Sequence, residues 1–453
     1  MRSSVFGLIA TALVAAAAPG LAAGATDLVP ANQPIPLSLA EAVALAAEST
    51  SAVRVAGLKM TEAEARRGQA RAALLPSLSS GAFYLERTFN YRTLGVSFPS
   101  IPGFPSIPDL IGPVDQVDAR LRATQTVFDA ASWMRLRSAR LGVGVSRAEA
   151  RGATETAAQT VALAYVRAAR AAAAVSARQA DLDIARQLGA LAEDQLNAGT
   201  AAAIDAIRAR TQEVSARGAL LVARNQAARA SIDLARALGL DPSIRFALAD
   251  TLSTPMGASS VPTDPDAVVA LALGQRPELA AERARLARAR ADRRAIQAER
   301  LPRLDLSADY GASGVRMQDA IATRQVLVQV SLPIFDGLRR EDRVAEQSAV
   351  ARESEVRTRD LERQVTAEVQ GALLDVSSGI EQESVAMERL RLAEEELAQA
   401  RERFTNGVAG NIEVINAQSS LNRARDAVID ARTTTASARI ALARAAGVAR
   451  TVR

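Results

Sequence analysis

The chain contains two copies of one pattern, and a tandem repeat restricts the available folds before any single residue does. Leu75-Pro76-Ser77-Leu78 returns 226 residues later as Leu301-Pro302-Arg303-Leu304. Phe128-Asp129 returns as Phe335-Asp336 at an offset of 207. Asn197-Ala198-Gly199 with Ile204-Asp205-Ala206-Ile207 matches Asn406-Gly407 with Ile412-Glu413-Val414-Ile415, 208 residues on, and Ala237-Leu238-Gly239 matches Ala445-Ala446-Gly447 at the same distance. The markers keep their order, so the copies share one architecture. The drop between the first two offsets locates an insert in the first copy. Gly95 to Pro113 carries it, with five prolines and three glycines, and reads as a loop.

Each copy follows the same plan. A helix comes first, Leu37 to Leu74 and then Pro265 to Arg300, with Ser38 and Glu41 spaced as a capping box. The Leu-Pro pair stops it. Alternating text follows. Phe83, Leu85, Phe89 and Tyr91 stand against Tyr84, Glu86, Thr88 and Asn90, with Arg87 the exception, and Val117, Ala119, Leu121 and Ala123 stand against Asp118, Arg120, Arg122 and Thr124. In the second copy Leu304, Leu306, Ala308 and Tyr310 alternate with Arg303, Asp305, Ser307 and Asp309, and Val326, Val328 and Val330 alternate with Gln325, Gln329 and Ser331. Four amphipathic strands fit either a soluble two-layer sheet or a membrane barrel. Four cannot close a barrel, so in lipid they must be a fraction of a shared one.

After each second strand the chain runs without proline, from Ala130 to Asp241 and from Gly337 to the end. Leu390, Leu397 and Phe404 recur every seven residues as a coiled-coil seam. Gly199 and Gly407 interrupt the two runs, each after about 65 residues, or about 100 Å of helix. The resulting division is a signal peptide at 1–25, a first repeat at 26–240, a linker at 241–264 that packs at the waist of the helices, and a second repeat at 265–453. The signal reading rests on Arg2, the apolar run Val5 to Ala18 and the small residues Ala23-Gly24-Ala25 before Thr26.

Composition then removes whole classes of function. There is no His and no Cys, which excludes imidazole bases, thiol nucleophiles, disulfides and a lipid-bearing cysteine, and leaves zinc without its usual ligands. No cofactor motif is present, and a hydrolase would need a Gly-x-Ser-x-Gly elbow that is missing. The net charge of +5 is spread among interspersed Arg, Glu and Asp with only 3% aromatics, so no nucleic-acid partner is expected.

The ordered set of markers resembles the TolC-like outer membrane efflux protein family, and the resemblance covers the mature chain. Leu75-Pro76-Ser77-Leu78, Leu332-Pro333-Ile334-Phe335-Asp336-Gly337 and Gly407 with Glu413 carry it most specifically. The resemblance implies a homotrimer whose twelve-stranded β-barrel, four strands per chain, continues into an α-helical tunnel across the periplasm. It implies a periplasmic adaptor and an inner-membrane pump as partners, and a passive duct for efflux or type I secretion rather than an enzyme. A periplasmic adaptor is the competing reading, because adaptors also use long helical hairpins. By the same resemblance the aperture is lined by Glu413 and Asn416, with Asp205 as the acidic match in the first copy. The family's arginine tether falls at Ala409, so that tether is missing here.

Overall fold

The computed structural model describes residues 34–95, 109–199, 202–258, 260–262, 264–406, 408 and 410–453. The expected signal peptide and most of the Pro/Gly-rich insert lie outside the described residues, as do Gly407 and Ala409.

Both repeats fold alike. A short strand β1 (Ile35–Leu37) precedes α1 (Leu39–Ser49) and α2 (Ser51–Ala72), then the hairpin strands β2 (Ser77–Asn90) and β3 (Leu110–Phe128), and the long helices α3 (Ala130–Asn197) and α4 (Ala203–Ala237). The connection contributes β4 (Phe246–Leu248). The second repeat supplies α5 (Pro265–Gln275), α6 (Pro277–Ala298), β5 (Arg303–Gly314), β6 (Ile321–Ser331), α7 (Arg339–Thr405) and α8 (Asn411–Ala445). With 68 and 67 residues, α3 and α7 are each about 100 Å long. None of the described helices is both long and apolar enough to cross a membrane.

The single helix expected at the start of each repeat is instead two. Pro277 explains the second break, because a residue before proline is pushed out of the helical region, and Arg276 sits at φ −61°, ψ 119°. No proline explains the first. There Thr50 is extended and Ser49 Oγ donates to Leu238 O at 2.6 Å. The terminal glycines account for both sites together. Gly239 has φ +72° and Gly447 φ +78°, and a Cβ on either would lie 3.1 Å from backbone at Ser49 O and Arg276 N respectively. Only glycine takes the left-handed turn and admits that approach.

The waist is the largest apolar cluster, joining Leu39, Val43, Val161, Tyr165, Leu234, Met256 and Ile440. β4 pairs parallel with β1 inside it. The sequence reading had no sign of that small sheet. Buried Tyr165 binds it, its hydroxyl donating to Leu37 O at 2.9 Å and to Asp250 Oδ2 at 3.1 Å.

Candidate functional site

The four long strands form one antiparallel sheet in the order β2-β3-β5-β6, with an unpaired edge at each side. Residues directly opposite one another in such a sheet share a face. Leu121 opposes Tyr310, Ala123 opposes Ala308, and Leu306 opposes Val328, so the apolar rows of β3, β5 and β6 coincide. The expected face of β2 is corrected by the register. Phe83 opposes Asp118 and Leu85 opposes Gln116, on the polar side, while Leu78, Ala82 and Tyr84 join the apolar side through Ala123, Ala119 and Val117.

On β3 the apolar row Val117, Ala119, Leu121 and Ala123 is bounded by Asp115 and Gln125. At about 3.4 Å per residue and a tilt near 40°, the rise between those two polar limits is about 25 Å, comparable to the height of the apolar band of an outer-membrane barrel. The opposite face is ionic. Arg120 binds Asp118 and reaches Asp309 at 3.1 Å, and Arg303 Nε lies 2.8 Å from Asp305, which also accepts from Thr126 Oγ1 at 3.0 Å. The sheet therefore has one side suited to lipid and one suited to water.

The far end of the helices carries the residues singled out in the sequence. Gly199 (φ +72°) ends α3 in the left-handed conformation. Glu413 and Asn416 are exposed in the first turns of α8, and Asp205 is half-buried at the start of α4. Asp205 and Glu413 belong to one tip, because Asn411, itself buried, donates from Nδ2 to Asp205 O at 3.0 Å. Neither carboxylate is alone. Arg403 Nε approaches Glu413 Oε1 at 3.1 Å and Arg208 Nη1 lies 3.6 Å from Asp205 Oδ1. The family's tether position, Ala409, lies outside the described residues, and arginines at other positions pair with both acids. Sequence spacing did not single out Arg403, which meets Glu413 only because the α7–α8 turn folds the two helices back on each other.

Further up, a buried charged layer joins the repeats. Asp181 of α3 lies 2.9 Å from Arg178 and 2.8 Å from Arg425 of α8, and Gln418 donates to its backbone oxygen at 3.3 Å. Burial pushes the Asp181 carboxyl above the usual range despite both guanidinium groups. Among the described residues no cluster of acids could hold a metal ion.

The model of the family described as outer membrane efflux protein matches residues 42–240 and again 268–448. The chain belongs to that family. The double match falls on the two repeats. Protein CyaE of Bordetella pertussis is 26% identical over 413 residues, covering 87% of this chain and 81% of that protein. A membrane protein from Pseudomonas aeruginosa superposes with a TM-score of 0.75 at 22% identity, over 90% of this chain and 93% of that one. The open state of the Neisseria gonorrhoeae MtrE outer membrane channel gives 0.72 at 20% identity, over 90% and 88%. These likenesses establish the TolC-like fold. As an outer membrane efflux protein, the chain is an outer-membrane component that extends into the periplasm.

Proposed function

We propose that three copies of this chain form a passive exit duct, with a twelve-stranded barrel in the outer membrane and a helical tunnel below it. The carrying observation is the sheet, which has a lipid-suited face about 25 Å tall and two unpaired edges. In lipid those edges must find strands of other copies. The helices support the same reading. Ile207, Val214 and Leu221 of α4 are spaced by seven and exposed, whereas their repeat mates in α8, Ile415, Asn422 and Ile429, are half-buried. A neighbouring copy supplies the missing cover. Heat-resistant trimer bands in the outer-membrane fraction are the expected result; a monomer in the soluble periplasm would refute the reading.

In this assembly the tips converge, and Glu413, Asn416 and Asp205 line the aperture beside the helix-turn glycines Gly199 and Gly407. The exposed Ile204, Val408 and Ile412 at the same end offer the apolar contacts on which a periplasmic adaptor, and through it an inner-membrane pump, would dock. No chemistry is assigned to the duct, and no cofactor.

Three Glu413 carboxylates make a ring that attracts cations, partly masked by Arg403. In planar bilayers at low salt, Glu413→Gln should lower cation preference and Arg403→Gln should raise it. Each should change trimer stability by less than about 1 kcal/mol, as expected of an exposed pair. Unchanged selectivity in both would make Glu413 an ordinary solvated carboxylate. Asp205→Asn should matter less.

The insert between β2 and β3 is read as an extracellular loop, because long loops of such barrels face outward. Ser106→Cys should therefore react with a membrane-impermeant thiol reagent on intact cells. Labelling only after lysis would invert the topology.

A further inference from the structure

The duplication makes the contact between subunits calculable. The Leu-Pro marker relates β2 to β5 by 226 residues, and the Phe-Asp marker relates β3 to β6 by 207. These shifts can be checked inside one chain. Ser80 opposes Leu121, and shifting both gives Leu306 opposite Val328; Tyr84 opposes Val117, and shifting both gives Tyr310 opposite Arg324. Both shifted pairs are those found in the second hairpin. The two hairpins thus have the same register, and among the described residues the seam between them, β3 with β5, is the one other kind of seam in this sheet.

Resting on the trimer reading above, we infer that β6 of one subunit pairs antiparallel with the partner subunit's β2 in the register of the β3–β5 seam, and that Arg324 and the partner subunit's Glu86 form an ion pair across it. Leu121 opposite Tyr310 becomes Val328 opposite the partner subunit's Tyr84. Ala123 opposite Ala308 becomes Val330 opposite the partner subunit's Ala82, and Ala119 opposite Ala312 becomes Val326 opposite the partner subunit's Glu86. Arg324 comes one step further along the same face, diagonal to that Glu86.

Two observations that did not enter the arithmetic agree with this register. First, parity is right: Val326, Val328 and Val330 lie on the apolar face of β6, and Ala82 and Tyr84 lie on the apolar face of β2. A slip of one residue would set apolar against polar along the whole seam. Second, the charges are complementary. Glu86 and Asp115 lie opposite each other, with Tyr84 Oη 3.4 Å from the first and 2.6 Å from the second. Among the described residues neither acid meets a cation and Arg324 meets no carboxylate. Within one chain the outward face carries an acid pair at one edge strand and a lone arginine at the other. Closing the ring brings them together, where a diagonal contact is within reach of long side chains.

The chain has no cysteine, so engineered pairs report without background. Val328→Cys with Tyr84→Cys, and Val330→Cys with Ala82→Cys, should cross-link subunits on oxidation. The slipped pairs Val328→Cys with Ala82→Cys and Val328→Cys with Glu86→Cys should give yields lower by about ten-fold, because their separation is too long for a disulfide. Higher yield from a slipped pair would overturn the register. Heat-resistant trimers without any cross-link would overturn the β6–β2 seam itself, and loss of trimers in the unmodified protein would instead refute the trimer reading. For the ion pair, Arg324→Glu or Glu86→Arg alone should speed thermal dissociation of the trimer about five-fold, the factor for roughly 1 kcal/mol. The double variant should restore the original rate. Failure of the double variant to recover, with the cross-links intact, would keep the register and refute the ion pair.

Discussion

Val328→Arg is expected to destabilise the barrel by about 2–4 kcal/mol, the cost of a basic residue near the middle of the lipid face. Arg at the next position, Gln329, should be tolerated. Val328 opposes Leu306 in the apolar row that runs through β5 and β3, the row that meets hydrocarbon in the proposed barrel. Gln329 opposes Asp305 on the other face, beside Arg303 and Thr126, where a guanidinium finds water and a carboxylate. Refolding into lipid vesicles, followed by urea titration of both variants, measures the difference. Equal damage from the two would show that the sheet does not separate a lipid side from a lumen side.

That contrast depends on alternation, and alternation was legible where one phase clearly dominated. In β3, β5 and β6 most apolar residues occupy one parity and, Asp115 and Arg324 apart, the charges occupy the other, so the faces follow from period two. β2 is different. Phe83 and Leu85 alternate as well as Leu78, Ala82 and Tyr84 do, and the text holds two competing apolar rows. Which row faces lipid is decided by the hydrogen-bonded register with β3, a long-range property. Larger aromatics made the wrong row look stronger.

The same distinction accounts for the helices and the tip. Repeat markers, proline-free runs and the Ser38–Glu41 capping box are local signals, and they carried the architecture. The break at Thr50 has no local cause. It follows from the approach of Gly239 and the bond from Ser49 to Leu238, almost 190 residues away in the chain. The tip shows a similar gap. Glu413 and Asp205 could be chosen by matching the copies, but Arg403 becomes a partner only once α7 and α8 fold together and Asn411 only once the two repeats pack, and neither follows a fixed helical spacing to its acid.

The waist should be the most damaging place to remove a single side chain. Tyr165 is fully buried where α1, the β1–β4 pair, α3 and the connection between the repeats meet. Tyr165→Ala leaves a large cavity and should cost about 3–5 kcal/mol, in the range for aromatic-to-alanine changes in packed cores. Tyr165→Phe keeps the ring but removes the hydroxyl that donates to Leu37 O and accepts from Asp250 N at 3.2 Å. That should cost about 1–3 kcal/mol for buried polar groups left without a partner. The pH dependence separates the two contributions. Burial pushes the Tyr165 hydroxyl from its ordinary 10.0 up to about 12, with the Asp250 backbone N–H opposing and the Asp250 carboxylate adding to the effect. A raised pKa means that the fold favours the protonated phenol, so this stabilisation is fully present below pH 10 and is lost as the pH rises toward 12. Thermal melting of the detergent-solubilised protein between pH 8 and 12 should fall more steeply for the parent than for Tyr165→Phe. Parallel curves would mean that Tyr165 titrates alike folded and unfolded, and that its ring rather than its hydroxyl holds the waist.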